Sequence, residues 1–195
     1  MTSQSDVKEF WAWFVNHAAE FGDAFENEVL LQELDERVTA LGEFTWEVGP
    51  GHHKASAFAL SPAGNRDLLA VTQAIVDTAP VIPEWEFHAA KQAKPWEPRF
   101  QIHDTQGEPF QVDATNWRSV LLEYADGVRE VVVEAANLSS LPEDHRRWAV
   151  EIALDCLLGE RQRLESIDII TVVDDLNDRE RRAAFPLAEI HKRIK

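Results

Sequence analysis

Two apolar runs, Trp117 to Tyr124 and Val128 to Ala135, flank the dipeptide Asp126-Gly127. Asp-Gly tolerates the positive φ that a tight antiparallel turn demands, so this stretch is expected to fold as a hairpin. With such a hairpin an α+β architecture is expected rather than a helical bundle or a doubly wound parallel sheet.

Elsewhere the spacing of apolar residues switches between helical and extended periods. Val7, Trp11, Phe14, Ala18, Phe21 and Phe25 step by four and three, which predicts an amphipathic helix whose start is capped by Ser3 with Asp6. Gly22-Asp23 interrupts it, and Asp23 with Glu26 is the expected cap of a second helix. Its stripe is Leu30, Leu31, Leu34, Val38 and Leu41, ending at Gly42. Phe44, Trp46 and Val48 then alternate as a half-buried strand. Gly49-Pro50-Gly51 turns the chain, and Ala55 to Leu60 returns as the partner strand. Leu68, Leu69, Thr72, Ile75 and Val76 predict a third helix that stops at Ala79-Pro80.

Trp85, Phe87 and Ala89, then Phe100 and Ile102, read as two short strands around the break at Lys94-Pro95-Trp96-Glu97-Pro98, and Asp104 to Gly107 as a turn. Ser140, Pro142 and Glu143 signal a helix start; that helix carries Trp148, Ile152 and Cys156 and ends at Gly159. Ile167 to Val173 is β-branched enough for a central strand, and the charged tail from Asp174 is expected to end in a short helix.

The expected architecture is α+β, an antiparallel or mixed sheet of roughly five to seven strands with helices packed on one face and an N-terminal helical pair. No Pro/Gly/Ser-rich linker divides the chain, so residues 1–195 are read as a single α+β domain in which 1–42 forms an N-terminal helical lobe. Trp46, Trp85, Phe87, Val120, Leu122, Val131, Val133, Trp148, Ile152 and Ile169 are the expected core. Trp13 and Trp96 fall off these stripes and are read as surface residues available for binding.

Composition narrows the function classes. A net charge of −16 opposes binding to a polyanion, so nucleic acid is not an expected partner. No apolar run reaches the roughly 20 residues that cross a bilayer, and the first residues lack the basic flank and apolar stretch of a signal peptide. A cytoplasmic location is therefore expected. The single cysteine, Cys156, excludes a disulfide framework and is expected to pack mid-helix as an inert thiol. The phosphate-binding loops, the dinucleotide fingerprint, the zinc-protease helix and the nucleophile elbow are all absent, and no cofactor is expected.

Histidine offers one enzymatic reading. His52, His53, His88 and His103 lie in the β-rich middle, and if the strands holding His88 and His103 pair, a loop bearing His52 and His53 can close over them. Four imidazoles so placed suit a divalent ion, with Asp104 as general base, in a metal-dependent hydrolase. The bland alternative is a set of solvent-facing histidines on half-buried strands, and His17 and His145 are read simply as solvated. Asp174-Asp175, at a strand end, suits either Mg²⁺ or plain turn capping.

The charge distribution is more specific. Glu20 to Glu47 hold nine acidic residues and one basic residue, Arg37, a net of −8 out of −16. So concentrated a charge fits steering of a basic protein partner, with Glu26, Glu28, Glu33 and Glu36 as the expected contact residues; a solvated face is the alternative.

The block SPAGNRDLLAVTQAIVDTAPVIPEWEFHAAKQA, followed by WRSVLLEYADGVREVVV and ALDCLLGE, resembles poorly characterised bacterial families of small cytosolic α+β proteins, among them regulators and immunity-type proteins that block a partner. The resemblance implies a fold and a regulatory, non-catalytic role. It rests on a turn, a helix and a tryptophan-bearing strand, and implies no catalytic residue. In those families a Lys-Pro pair closely follows the tryptophan strand, whereas here it arrives later, at Lys94-Pro95.

Overall fold

The computed structural model describes residues 3–22 and 24–194. They gather into two compact units, Met1–Gln92 and Ala93–Lys195, each with a core of its own. The fold is α+β, with helices at the N-terminus followed by strands.

The first unit opens with α1 (Gln4–His17), which continues as a 3-10 turn over Ala18–Phe21, and α2 (Glu28–Leu41). The expected capping box is present: the Ser3 hydroxyl accepts from the Asp6 amide at 3.2 Å and the Asp6 carboxylate accepts from the Ser3 amide at 3.1 Å. The cap expected from Asp23 lies outside the described residues. It is Asn27 that caps α2, its side chain accepting from the Leu30 amide. β1 (Thr45–Pro50) and β2 (Ser56–Ser61) form the expected antiparallel hairpin. β3 (Trp85–His88) then pairs with β2 in parallel. A parallel neighbour requires a crossover, and α3 (Leu69–Val76) supplies it.

The helical pair does not stand apart as a lobe over 1–42. Phe10, Trp11, Phe14, Leu34 and Val38 share one buried cluster with Phe58 and Leu60 of β2 and Trp85 of β3. Phe14, fully buried, lies 4.9 Å from the Trp85 ring, 5.2 Å from Phe58 and 5.5 Å from Phe21 and Phe87. Edge-to-face and tilted contacts of this kind add to the gain from burial. The indole of Trp11 satisfies its N–H on the Ile75 carbonyl at 3.1 Å.

The second unit contains β4 (Arg99–His103) paired with β5 (Pro109–Asp113), and a four-stranded sheet in the order β8-β7-β6-β9. There β6 (Arg118–Glu123) and β7 (Arg129–Glu134) are the hairpin expected around Asp126-Gly127. Gly127 has φ +86°, and the Tyr124 amide closes the turn on the Val128 carbonyl at 2.9 Å. β8 (Ile169–Val173) runs parallel to β7, and the two-residue β9 (Phe185–Pro186) pairs with β6. α4 (Glu143–Leu158), α5 (Glu160–Ser166), α6 (Asp178–Ala183) and a 3-10 segment, Leu187–Lys192, complete the unit.

Val131 and Val133 of β7 pack with Ala149, Val150, Ala153 and Leu154 of α4, while Val120 and Val132, on the other face of the sheet, meet Leu176.

Several expectations change. The strands make three sheets of three, two and four strands rather than one of five to seven. The run at 169–173 is an edge strand, not a central one, and the strands of His88 and His103 do not pair with each other. α4 starts after Pro142 with no side-chain cap, so Ser140 does not cap it. Trp148 and Ile169, expected in the core, are 43% and 44% exposed. Trp13, expected at the surface, is buried, and Trp96 packs half-buried against the second core.

Candidate functional site

α2 turns Leu30, Leu34, Val38 and Leu41 into the core, which leaves its other face to solvent. Glu28, Asp35 and Glu36 stand exposed there, joined by Glu26 just before the helix and Glu43 just after it. In their midst Val29 is 77% exposed, an apolar side chain set among carboxylates. Among the described residues from Glu20 to Glu47, Arg37 is the lone cation.

Two acids of α2, Glu33 and Asp35, hold the scaffold. The Trp13 indole donates to Glu33 Oε2 at 3.3 Å, and Arg37 lies 4.8 Å above the Trp13 ring while its guanidinium reaches Glu33 Oε1 at 3.9 Å. His17 stacks on the other part of this assembly, 5.0 Å from the Trp13 ring, with Nδ1 2.8 Å from the Trp13 carbonyl oxygen. Asp35 accepts from the Trp46 indole at 2.8 Å. Of the four glutamates expected to contact a partner, Glu26, Glu28 and Glu36 are exposed, whereas Glu33 is half-buried and already engaged. Both indoles sit where periodicity alone gives no partner; a tryptophan N–H needs an acceptor when it is covered, and nearby acids in the sequence were the available signal.

The histidines are arranged differently from a ligand set. In the β1–β2 loop the main-chain amides of His52 and His53 donate to the Glu86 carboxylate at 2.6 and 3.0 Å, and the His88 ring lies 3.2 Å from Glu86 Oε1. Burial pushes the Glu86 carboxyl up, but those two amides and the His88 ring outweigh it and bring its pKa from 4.5 to about 2. The loop approaches so closely that a Cβ at Gly51 would lie 2.6 Å from the Lys54 carbonyl oxygen and 3.0 Å from Glu86 Cδ. Lys54 ties the same loop down from its other side, donating to the carbonyls of Ile82 and Trp85 at 3.2 and 2.8 Å. A cleft of about 360 Å³ opens beside it, lined by Lys54, Val76, Asp77, Ile82, Trp85 and Glu86.

His103 belongs to the second unit, exposed on β4 opposite Pro109. Asp104 is engaged in the β4–β5 turn, accepting from the amides of Gln106 and Glu108 at 2.8 and 2.9 Å. Among the described residues no three His, Cys, Asp or Glu side chains converge as a metal ion would require.

Asp174 and Asp175 go to separate arginines, Arg146 and Arg181, each at 2.6 Å. They neither face each other across a shared proton nor converge on one cation. Cys156 is half-buried, its thiol 3.6 Å from the Pro95 carbonyl oxygen. No helix among the described residues is long and apolar enough to cross a membrane. Comparison with known proteins finds no family model, no curated protein and no solved structure that matches this chain.

Proposed function

We propose that the protein is a non-catalytic interaction or regulatory module, of the kind that blocks a partner, and that the outward face of α2 docks a basic protein. The observation that carries this reading is the division of labour on α2. One stripe is spent on the core, Glu33 and Asp35 are spent on indoles, and Glu26, Glu28 and Glu36 remain exposed around Val29. Exposed carboxylates raise the rate of encounter with a positive surface, and a central apolar residue supplies contact area once the complex forms.

The reading is tested by charge reversal at Glu26, Glu28 and Glu36 to lysine, leaving Glu33 in place. The fold is expected to persist, because these side chains are exposed, and far-ultraviolet circular dichroism checks it. Tagged wild-type protein should then retain from native lysate a basic protein that the reversed variant loses, identified by mass spectrometry. If both retain the same set, the α2 face is a solvated surface and the proposal fails.

A further inference from the structure

The sheets of this protein guard their edges, with one exception. β1 ends in Pro50 and carries Glu47, β3 is four residues long with Glu86 and His88, β5 begins at Pro109, and β9 is two residues ending in Pro186. Prolines, charges and shortness are the usual protection against strand addition. β8 has neither charge nor proline, and it is longer than β3 or β9. It is Ile169-Ile170-Thr171-Val172-Val173, five β-branched residues without a charge or a proline, paired on one side only.

The Val173 carbonyl points to β7, accepting from the Ala135 amide at 2.9 Å. Alternation along the strand therefore turns the main-chain groups of Thr171 and Ile169 towards β7 as well, and those of Ile170 and Val172 away from it. Ile169 is also 44% exposed, and Ile170 to Val173 are each partly accessible.

We infer that β8 is an association edge and that its occupant is β8 of a second copy of this chain, added antiparallel. The edge demands a strand, since only a backbone presents matching N–H and C=O groups at the strand repeat. The run is close to palindromic in shape: centred on Thr171, it sets Ile169 against Val173, Ile170 against Val172 and Thr171 against Thr171. All are pairs of β-branched residues on matching faces, and none opposes like charges. At the margins Asp168 would face Asp174, but the first accepts from the Arg129 amide at 2.8 Å and the second pairs with Arg146. A ladder this short buries well under the roughly 1,200 Å² of a standard stable interface, so the dimer is weak and reversible. Two chains of −16 repel each other, so added salt strengthens this association, opposite to its effect on an acid–base complex.

Sedimentation velocity over a wide concentration range, at low and high salt, should show a monomer–dimer equilibrium that shifts towards dimer with salt. Hydrogen exchange of the Ile170 and Val172 amides should slow as concentration rises. Ile169→Lys, at an exposed side chain, should weaken the dimer roughly tenfold, because the change occurs twice per pair. A monomer at every concentration, or a dimer in which those amides exchange at the monomer rate, would overturn the inference. The exchange measurement needs no variant, so the inference stays testable even if the lysine protein misfolds. A β8 dimer without an α2 partner, or the reverse, separates this inference from the proposed function.

Discussion

At the scale of single residues, the polar side chains that matter most for structure are those that sequence patterning reads as surface charge. Glu86 is one of an alternating pair on a short strand, yet it holds the β1–β2 loop through two amides and a histidine ring. Its carboxyl is depressed in the folded protein, so its contribution to stability is complete above the unfolded value of 4.5 and is lost as pH falls from there towards 2. Glu86→Gln should therefore lower stability by about 1–3 kcal/mol at neutral pH, and urea titrations should show the gap to wild type closing below about pH 4. Glu33 is the second case. Glu33→Ala should cost about 1 kcal/mol by removing the acceptor of the Trp13 indole, whereas Glu28→Ala, at an exposed position, should leave the melting temperature within error. Neither role was legible beforehand, because an alternating or i,i+4 pattern says which face a residue takes and nothing of what reaches it from another element.

At the scale of elements, local signals proved readable wherever the deciding interaction is itself local. The Ser3–Asp6 box, the Asp126-Gly127 hairpin, the turn at Asp104 to Gly107 and the helix end at Gly159 involve neighbours in sequence. Signals failed where the tertiary context decides. α4 carries apolar residues on two adjoining stripes, and Ala149, Val150, Ala153 and Leu154 face the core while Trp148 does not; both sets have helical spacing. β8 reads as central from its β-branched density, yet the chain order of the sheet makes it an edge, which composition does not encode. β5 carries a weak sequence signal, because Pro109 opens it and only Phe110 and Val112 carry the alternation. α2 begins at Glu28 with Asn27 as its cap; Asn27→Ala should lower stability by about 1 kcal/mol, read by denaturant titration.

For the whole molecule, the α+β class followed from the sequence because helical and extended periods succeed one another without a linker. The aromatic residues of the N-terminal helix explain why it belongs with the sheet of its own unit: Phe14 touches rings from the 3-10 turn, β2 and β3 at once. Phe14→Ala should therefore cost about 3–5 kcal/mol, the range for truncating a fully buried aromatic, and calorimetry should show it as a large drop in melting temperature. The site was legible only in part. The excess of acid between Glu20 and Glu47 is a property of the sequence, but which of those acids hold an indole is decided by Trp13, Arg37 and Trp46 folding onto two of them.

The most direct measurement of the central claim is the association rate of the captured partner as a function of ionic strength, by stopped flow, for wild type and for the protein with Glu26, Glu28 and Glu36 reversed to lysine. Electrostatic steering by the α2 face predicts a wild-type rate that falls steeply with salt while dissociation barely changes, and a reversed variant that associates slowly at low salt. Equal rates for the two proteins, with the same salt dependence, would contradict the assignment of this face as the docking surface.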